Sequence, residues 1–226
     1  MSMAAHTVPP PLRDGDRLTS EEFLRRWEAM PDLKHAELID GIVHMPSPVG
    51  RHHSRCQFIF STWLGNYELK TPGCEGGSEG TWLMSRKDVP QPDISLRISP
   101  EYGGQSKDEG LFSAGAPELV VEVAASSRSR DVGAKLRLYE RMGVREYVVV
   151  VTGKKQIQWK VLGPNGYQAH GPDADGIARS RCFPGLWLDT RALWPLDRAR
   201  LFAVLQRGFD SPEHAEFAAR LAAQKR

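Results

Sequence analysis

APELVVEVAASSRSRD, residues Ala116 to Asp131, is the stretch whose reading decides the fold. It reads as an apolar strand, a short polar turn and the start of a helix. Glu122 stands inside the apolar run, between Val121 and Val123. An ionised carboxylate is almost never buried unless it is paired or binds a metal. Asp131 is expected to cap a helix over Val132 to Met142, with Leu136, Leu138, Tyr139 and Met142 on its apolar side and Gly143 as its stop. Glu146 to Val151 is then a continuous apolar strand, the kind covered on both faces. Strand, helix and strand over so short a span form a βαβ unit, which implies parallel pairing.

Working outward towards the N-terminus, a second strand carries a carboxylate at its start: Asp93 opens the segment from Gln91 to Ile98. Earlier still, Asp40-Gly41 separates two β-prone runs between Ala36 and Met45, a strong hairpin signal that places Glu37 on a strand. Thr19 to Glu22 has the capping-box pattern and opens a helix with Phe23, Leu24, Trp27 and Met30 on one side. A longer helix is expected over Arg51 to Tyr67, with His52 and His53 at its start. Gly73 to Gly80 and residues 99–115 read as loops, and residues 171–194 as irregular. Gln156 to Leu162 alternates polar and apolar residues, as a half-exposed antiparallel strand does. The last stretch is helical, with Ser211 capping a final helix whose thin apolar stripe suits docking on a partner subunit or fraying. Residues 1–17 are expected to be a loose tail, 18–194 one domain and 195–226 a helical extension.

Composition narrows the classes. The 226 residues are 40% hydrophobic and 26% charged, ordinary values for a globular chain. The formal net charge of +2 excludes a polycation, so a nucleic-acid partner would be held by a local patch. Cys56, Cys74 and Cys182 form no Cys-x-x-Cys pair, which argues against a zinc ribbon or disulfide framework and fits a reducing cytoplasm. The N-terminus has no apolar h-region, and no apolar run approaches the ~18–20 residues of a membrane span, so a soluble intracellular protein is expected.

The residues that carry chemistry are Asp93, Glu122 and Lys135, the last on the helix after the Glu122 strand. Two strand-borne carboxylates that meet make a hard oxygen site suited to Mg²⁺ or Mn²⁺. A nearby lysine stabilises negative charge developing on a phosphate, or orients the attacking water. Together these are the minimal equipment for metal-assisted phosphodiester hydrolysis.

The run from Ala116 to Val123, followed by Asp131, Lys135, Tyr139 and Gly143 to Tyr147, resembles the Uma2 (DUF820) family of restriction-endonuclease-like proteins. So do Glu37 to Gly41 and Pro92-Asp93. The family belongs to the PD-(D/E)XK nuclease superfamily, and the resemblance spans about residues 20–190. It implies an α/β fold, a central mixed sheet flanked by helices. It implies Mg²⁺ or Mn²⁺ on Asp93 and Glu122, a backbone carbonyl near Val123 as a further ligand, DNA as substrate, and a homodimer. The superfamily's lysine normally stands two residues after the Glu, where this chain has Ala124; Lys135 matches the position that replaces it. Glu37 matches an extra acidic residue that orients water or a second metal, and His53 or His52 a histidine opening the second helix. The turn Ala125-Ser126-Ser127 departs from the family's Ser-Pro-Ser.

Each of these residues also has a plainer reading. Glu122 and Lys135 could form a buried structural ion pair, Asp93 a turn residue, and Lys135 a solvated partner of Asp131. Arg128, Arg130, Arg137 and Arg141, with Arg145, gather around the helix of Lys135; they read as a solvated face or as a basic patch for a DNA backbone. Two functions follow: a metal-dependent endonuclease, or a nuclease-fold module that binds nucleic acid or a protein partner without efficient catalysis.

Overall fold

The structure is a computed structural model that describes residues 8–45, 47–124 and 130–225. Helix α1 (Ser20–Glu28) leads into the hairpin β1 (Glu37–Ile39) and β2 (Ile42–His44), and the long helix α2 (Arg51–Lys70) follows. Then come β3 (Cys74–Ser78), β4 (Trp82–Leu83), β5 (Ile94–Ile98), β6 (Lys107–Glu109) and β7 (Phe112–Ala114). The next unit is β8 (Leu119–Ala124), α3 (Arg130–Met142) and β9 (Glu146–Val151), continued by β10 (Gln156–Gly163) and β11 (Gly166–His170). The chain closes with β12 (Ile177–Arg179), β13 (Trp187–Asp189), α4 (Thr190–Leu193), α5 (Arg198–Phe209) and α6 (Pro212–Gln224).

A six-stranded mixed sheet in the order β11-β10-β9-β8-β5-β3 organises the molecule. β8 and β9 pair in parallel, Leu119 opposite Glu146 and Ala124 opposite Val151, so the βαβ reading of the central stretch holds. The other neighbours in this sheet run antiparallel. The two sides of β8 enter different cores, as the period-2 alternation of a strand requires. Leu119, Val121 and Val123 pack with Phe60, Trp63, Leu64 and Tyr67 of α2. Val120 and Ala124 pack with Leu138 and Tyr139 of α3. Glu122 shares the parity of Val120 and Ala124 and therefore faces α3. A third cluster joins Phe23 of α1 to Leu38 and Val43 of the hairpin and to Val89.

The hairpin turns through left-handed backbone at Asp40 (φ 52°) and Gly41 (φ 76°), the conformation that Asp-Gly tolerates and most residues resist. Several segments differ from expectation. The glycine-rich stretch expected as a loop contains β3, the sheet's edge strand, paired from Cys74 opposite Ile98 to Ser78 opposite Ile94. At Gly76 there is little room for a side chain: its N–H donates to Glu68 Oε2 of α2 at 3.0 Å, and a Cβ there would lie 3.0 Å from the same oxygen. Within 99–115, β6 and β7 form an antiparallel hairpin, and within 171–194, β12 and β13 pair antiparallel. α3 begins at Arg130, one residue before the expected Asp131 cap.

Near both ends, the described residues are held by packing. Leu12 is buried, and the Gly15 N–H donates to the Val43 carbonyl. Asp197 caps α5 and Ser211 caps α6 through their side chains. Leu205, Phe217 and Leu221 join the core with residues of α2, so α6 packs on the chain through Phe217 and Leu221, while Ala215 and Ala222 of the thin stripe read on it are exposed. No helix among the described residues is long and apolar enough to cross a membrane.

Candidate active site

β5 and β8 run antiparallel with Ile94 opposite Val121, and one step further in that register places Asp93 opposite Glu122. The Asp93 carboxylate reaches across the strands, where Oδ2 accepts from the Val123 N–H at 2.6 Å. Its Oδ1 lies 3.2 Å from His53 Nε2, in the first turn of α2. Gln57, one turn further along α2, donates to the Asp93 backbone carbonyl at 3.3 Å and to Glu79 Oε1 at 3.0 Å. Two elements of the sheet and one helix thus fix the position of Asp93.

Glu122 projects towards α3 and meets two of its residues, four apart and so on one face. Lys135 Nζ donates to Glu122 Oε1 at 2.9 Å, and the Tyr139 hydroxyl donates to the same oxygen at 2.8 Å. Lys135 also lies 2.9 Å from Glu37 Oε1 on β1. That oxygen accepts the Gln91 N–H at 2.7 Å, which ties the hairpin to the segment just before Asp93. Glu122 and Lys135 are each 7% exposed, so the ion pair is shielded from water on most sides.

Burial acts on both members of the pair. It raises the Glu122 carboxyl from 4.5 to about 8; Lys135 opposes the shift, and the charges of Asp93 and Glu37 add to it. Burial alone would lower the Lys135 ammonium, but Glu122, Glu37 and Asp93 outweigh it and the net shift is well upward. Burial, then Glu122, pushes the Tyr139 phenol up, so it stays a donor. The hydrogen bond to Asp93 raises His53, against partial burial. Tyr147, whose ring centroid is 5.2 Å from that of Tyr139, has a buried hydroxyl without a hydrogen-bond partner among the described residues.

Three carboxylates therefore gather around one buried ammonium, and the cluster carries surplus negative charge. Among the described residues no group of three or more His, Cys, Asp or Glu side chains is placed to hold a metal ion. Two carboxylates are nevertheless what Mg²⁺ commonly takes from a protein, with water and substrate phosphate completing its shell. The hard oxygen donors of Asp93 and Glu122 and the surplus negative charge fit such an ion.

The structure thus brings together Asp93, Glu122, Lys135 and Glu37. At Val123 the backbone N–H donates to Asp93. Of the two histidines, His53 touches Asp93 while His52 is exposed. The arginines are less concentrated than their spacing suggests. Arg137 is exposed, Arg141 is tied to Asp40 at 2.9 Å and Asp88 at 3.0 Å, and Arg145 donates to Gln105. Arg128, the Ala125-Ser126-Ser127 turn and the side chain of Arg130 lie outside the described residues. Sequence reading placed Tyr139 only on the apolar side of its helix; its spacing of four from Lys135 was the signal for its contact with Glu122. Gln57 and Gln91 gave no signal, because a glutamine in a helix or before a proline is ordinary.

The geometry agrees with comparisons to known proteins. The model of the Uma2 family, described as "Putative restriction endonuclease", matches residues 20–191. The crystal structure of a putative nuclease belonging to DUF820 from Anabaena variabilis has a TM-score of 0.61 at 18% identity, over 83% of this chain and 99% of that one. At that identity the likeness speaks for the fold. No curated protein matches the chain. With the family model matched across most of its length, over the hairpin of Glu37, the strands of Asp93 and Glu122 and the helix of Lys135, the chain belongs to the Uma2 family.

Proposed function

We propose that this chain is a metal-dependent endonuclease that hydrolyses DNA phosphodiester bonds at the Asp93–Glu122–Lys135 cluster. The observation that carries the reading is the placement of Asp93 opposite Glu122 on neighbouring strands, with a buried ammonium 2.9 Å from Glu122. Mg²⁺ or Mn²⁺ held by Asp93 and Glu122 would supply Lewis-acid polarisation of the phosphate and activation of a bound water. The chain's own groups hold and orient. His53 and the Val123 N–H fix the two oxygens of Asp93, and Tyr139 fixes Oε1 of Glu122. Lys135 brings positive charge to a phosphate at the cluster, where it stabilises the charge that develops in the transition state. Glu37, itself held by the Gln91 N–H, positions Lys135 from the opposite side. Burial strengthens each of these interactions over its value in water.

A labelled DNA duplex incubated with Mg²⁺ or Mn²⁺, with an EDTA control, tests the proposal. Cleavage that EDTA stops and that Asp93→Ala and Glu122→Ala each remove supports it. No cleavage with any divalent ion, or cleavage that survives both substitutions, refutes it.

A second reading rests on one specific observation. Lys135 is already engaged by two carboxylates, as a structural ion pair would be, and Ala124 stands where the superfamily's lysine does. The scaffold would then bind nucleic acid or a protein partner without turnover. Salt-sensitive DNA binding, with no divalent-ion affinity at Asp93 and Glu122, distinguishes it.

A further inference from the structure

Away from the cluster, a groove of about 490 Å³ opens between α2 and α5. That size lies within the range of about 300–1,000 Å³ typical of ligand sites. Trp63 and Leu205 belong to the buried core and lie among its lining residues. Phe58 of α2 and Phe202 of α5 line it as well, 73% and 58% exposed. The charged residues of its lining are Arg55 and Arg198, with no acidic side chain among them. Neither arginine forms an ion pair among the described residues.

Arg55 stands on α2 two residues from both His53 and Gln57, which touch Asp93, and so projects from the other side of the helix. Arg51, one turn earlier on the same helix flank, is exposed. The short turn of residues 152–154 that ends β9 packs against α2 and carries exposed Lys154, with exposed Lys155 next to it. Arg51 and Arg55 thus stand on one flank of α2, and Arg55 and Arg198 line a groove that presents two aromatic rings.

Large exposed aromatic side chains in a concave patch mark a surface that binds something. A second copy on a two-fold axis would meet this patch with the same patch, bringing arginine towards arginine with no acid in the lining. An anionic chain with planar rings satisfies both features. Proteins that hold single strands pair a cationic groove with aromatic faces on which bases stack.

We propose that the groove between α2 and α5 binds an unpaired stretch of nucleic-acid strand, with bases against Phe58 and Phe202 and phosphates on Arg55 and Arg198. The proposal rests on the cluster acting on nucleic acid, and it adds that the substrate carries a single-stranded segment or flank.

The test is fluorescence anisotropy of a labelled oligothymidylate and of a duplex of equal length, in EDTA so that nothing is cut. Full-length wild type is compared with Phe58→Ala, Phe202→Ala, Arg55→Gln and Arg198→Gln, each checked for folding by circular dichroism. Each phenylalanine substitution is expected to weaken single-strand binding by roughly tenfold and duplex binding far less. Each arginine substitution should lower the slope of log affinity against log salt by about 0.7. The inference is overturned by absent single-strand binding, or by binding that ignores the phenylalanines. It is equally overturned if those variants change only the sedimentation of the protein, which would make the groove a contact between copies. Duplex cleavage is scored separately. Unaffected strand binding with intact cutting sinks the groove alone, and phenylalanine-dependent binding without any cutting sinks the endonuclease reading alone.

Discussion

Replacing Lys135 with methionine removes the ammonium that stands 2.9 Å from both Glu122 and Glu37 while keeping most of the side chain's length. The side chains of Lys135 and Glu122 are each 9% exposed, so solvent screens little of what is lost. Breaking a buried pair by deleting one partner costs about 3–5 kcal/mol, because the other charge stays behind unpaired. Glu122 limits the loss by holding its proton more tightly, so the lower half of that range is the expectation. In a domain of this size about 1 kcal/mol moves the melting midpoint by roughly 2–4 °C, which gives a fall of about 6–16 °C. Glu122→Gln removes the opposing charge, and in the double variant the penalty shrinks by a coupling of about 1–3 kcal/mol. Urea unfolding at pH 9, above the raised Glu122 carboxyl, followed by circular dichroism, reads all three variants against wild type. A loss under about 1 kcal/mol for Lys135→Met, or strict additivity in the double variant, would refute the geometry described for this pair.

Other expectations follow from the same contacts. The Glu122 carboxyl is raised in the folded state from 4.5 to about 8, so the folded protein keeps a proton that the unfolded chain releases. Metal-free stability should therefore fall as pH rises from about 4.5 through about 8, and Glu122→Gln should flatten that slope in urea titrations across the range. His53→Ala frees Asp93 Oδ1 from its orienting partner and is expected to weaken Mn²⁺ binding about 10- to 100-fold by calorimetry, with the fold intact. At Gly208 an added Cβ would lie 2.0 Å from the Gly185 carbonyl oxygen, so Gly208→Ala should shift α5 and destabilise the protein by about 1–3 kcal/mol in urea. Arg141 is engaged by Asp40 and Asp88, so Arg141→Gln should leave the salt slope of DNA binding within about 0.3 of wild type.

Where a local pattern determined the outcome, the sequence was readable. The run from Leu119 to Ala124, a helix stopped by Gly143 and the apolar run from Glu146 admit little besides a βαβ unit, and the Asp40-Gly41 turn admits little besides a hairpin. The buried carboxylate of Glu122 pointed to a compensating cation, and the period of the strand decided which helix supplied it. The segments that were misread depend on distant partners. β3 is glycine-rich, and its pairing with β5, about twenty residues further on, makes a strand there. The short strands β12 and β13 are defined by each other. The contact of His53 with Asp93 joins residues 40 apart, and the capture of Arg141 by Asp40 joins residues 101 apart. Neither distance leaves a mark on local spacing.

The initial rate of nicking of supercoiled plasmid in Mn²⁺ by wild type, Lys135→Met and Glu122→Gln, in parallel, tests the central claim most directly. If the cluster is the catalytic centre, wild type nicks the plasmid and each variant falls by about a hundredfold or more, the loss expected when one electrostatic group of a buried site is removed. Wild type that leaves the plasmid intact, or folded variants that cut at the wild-type rate, would contradict it.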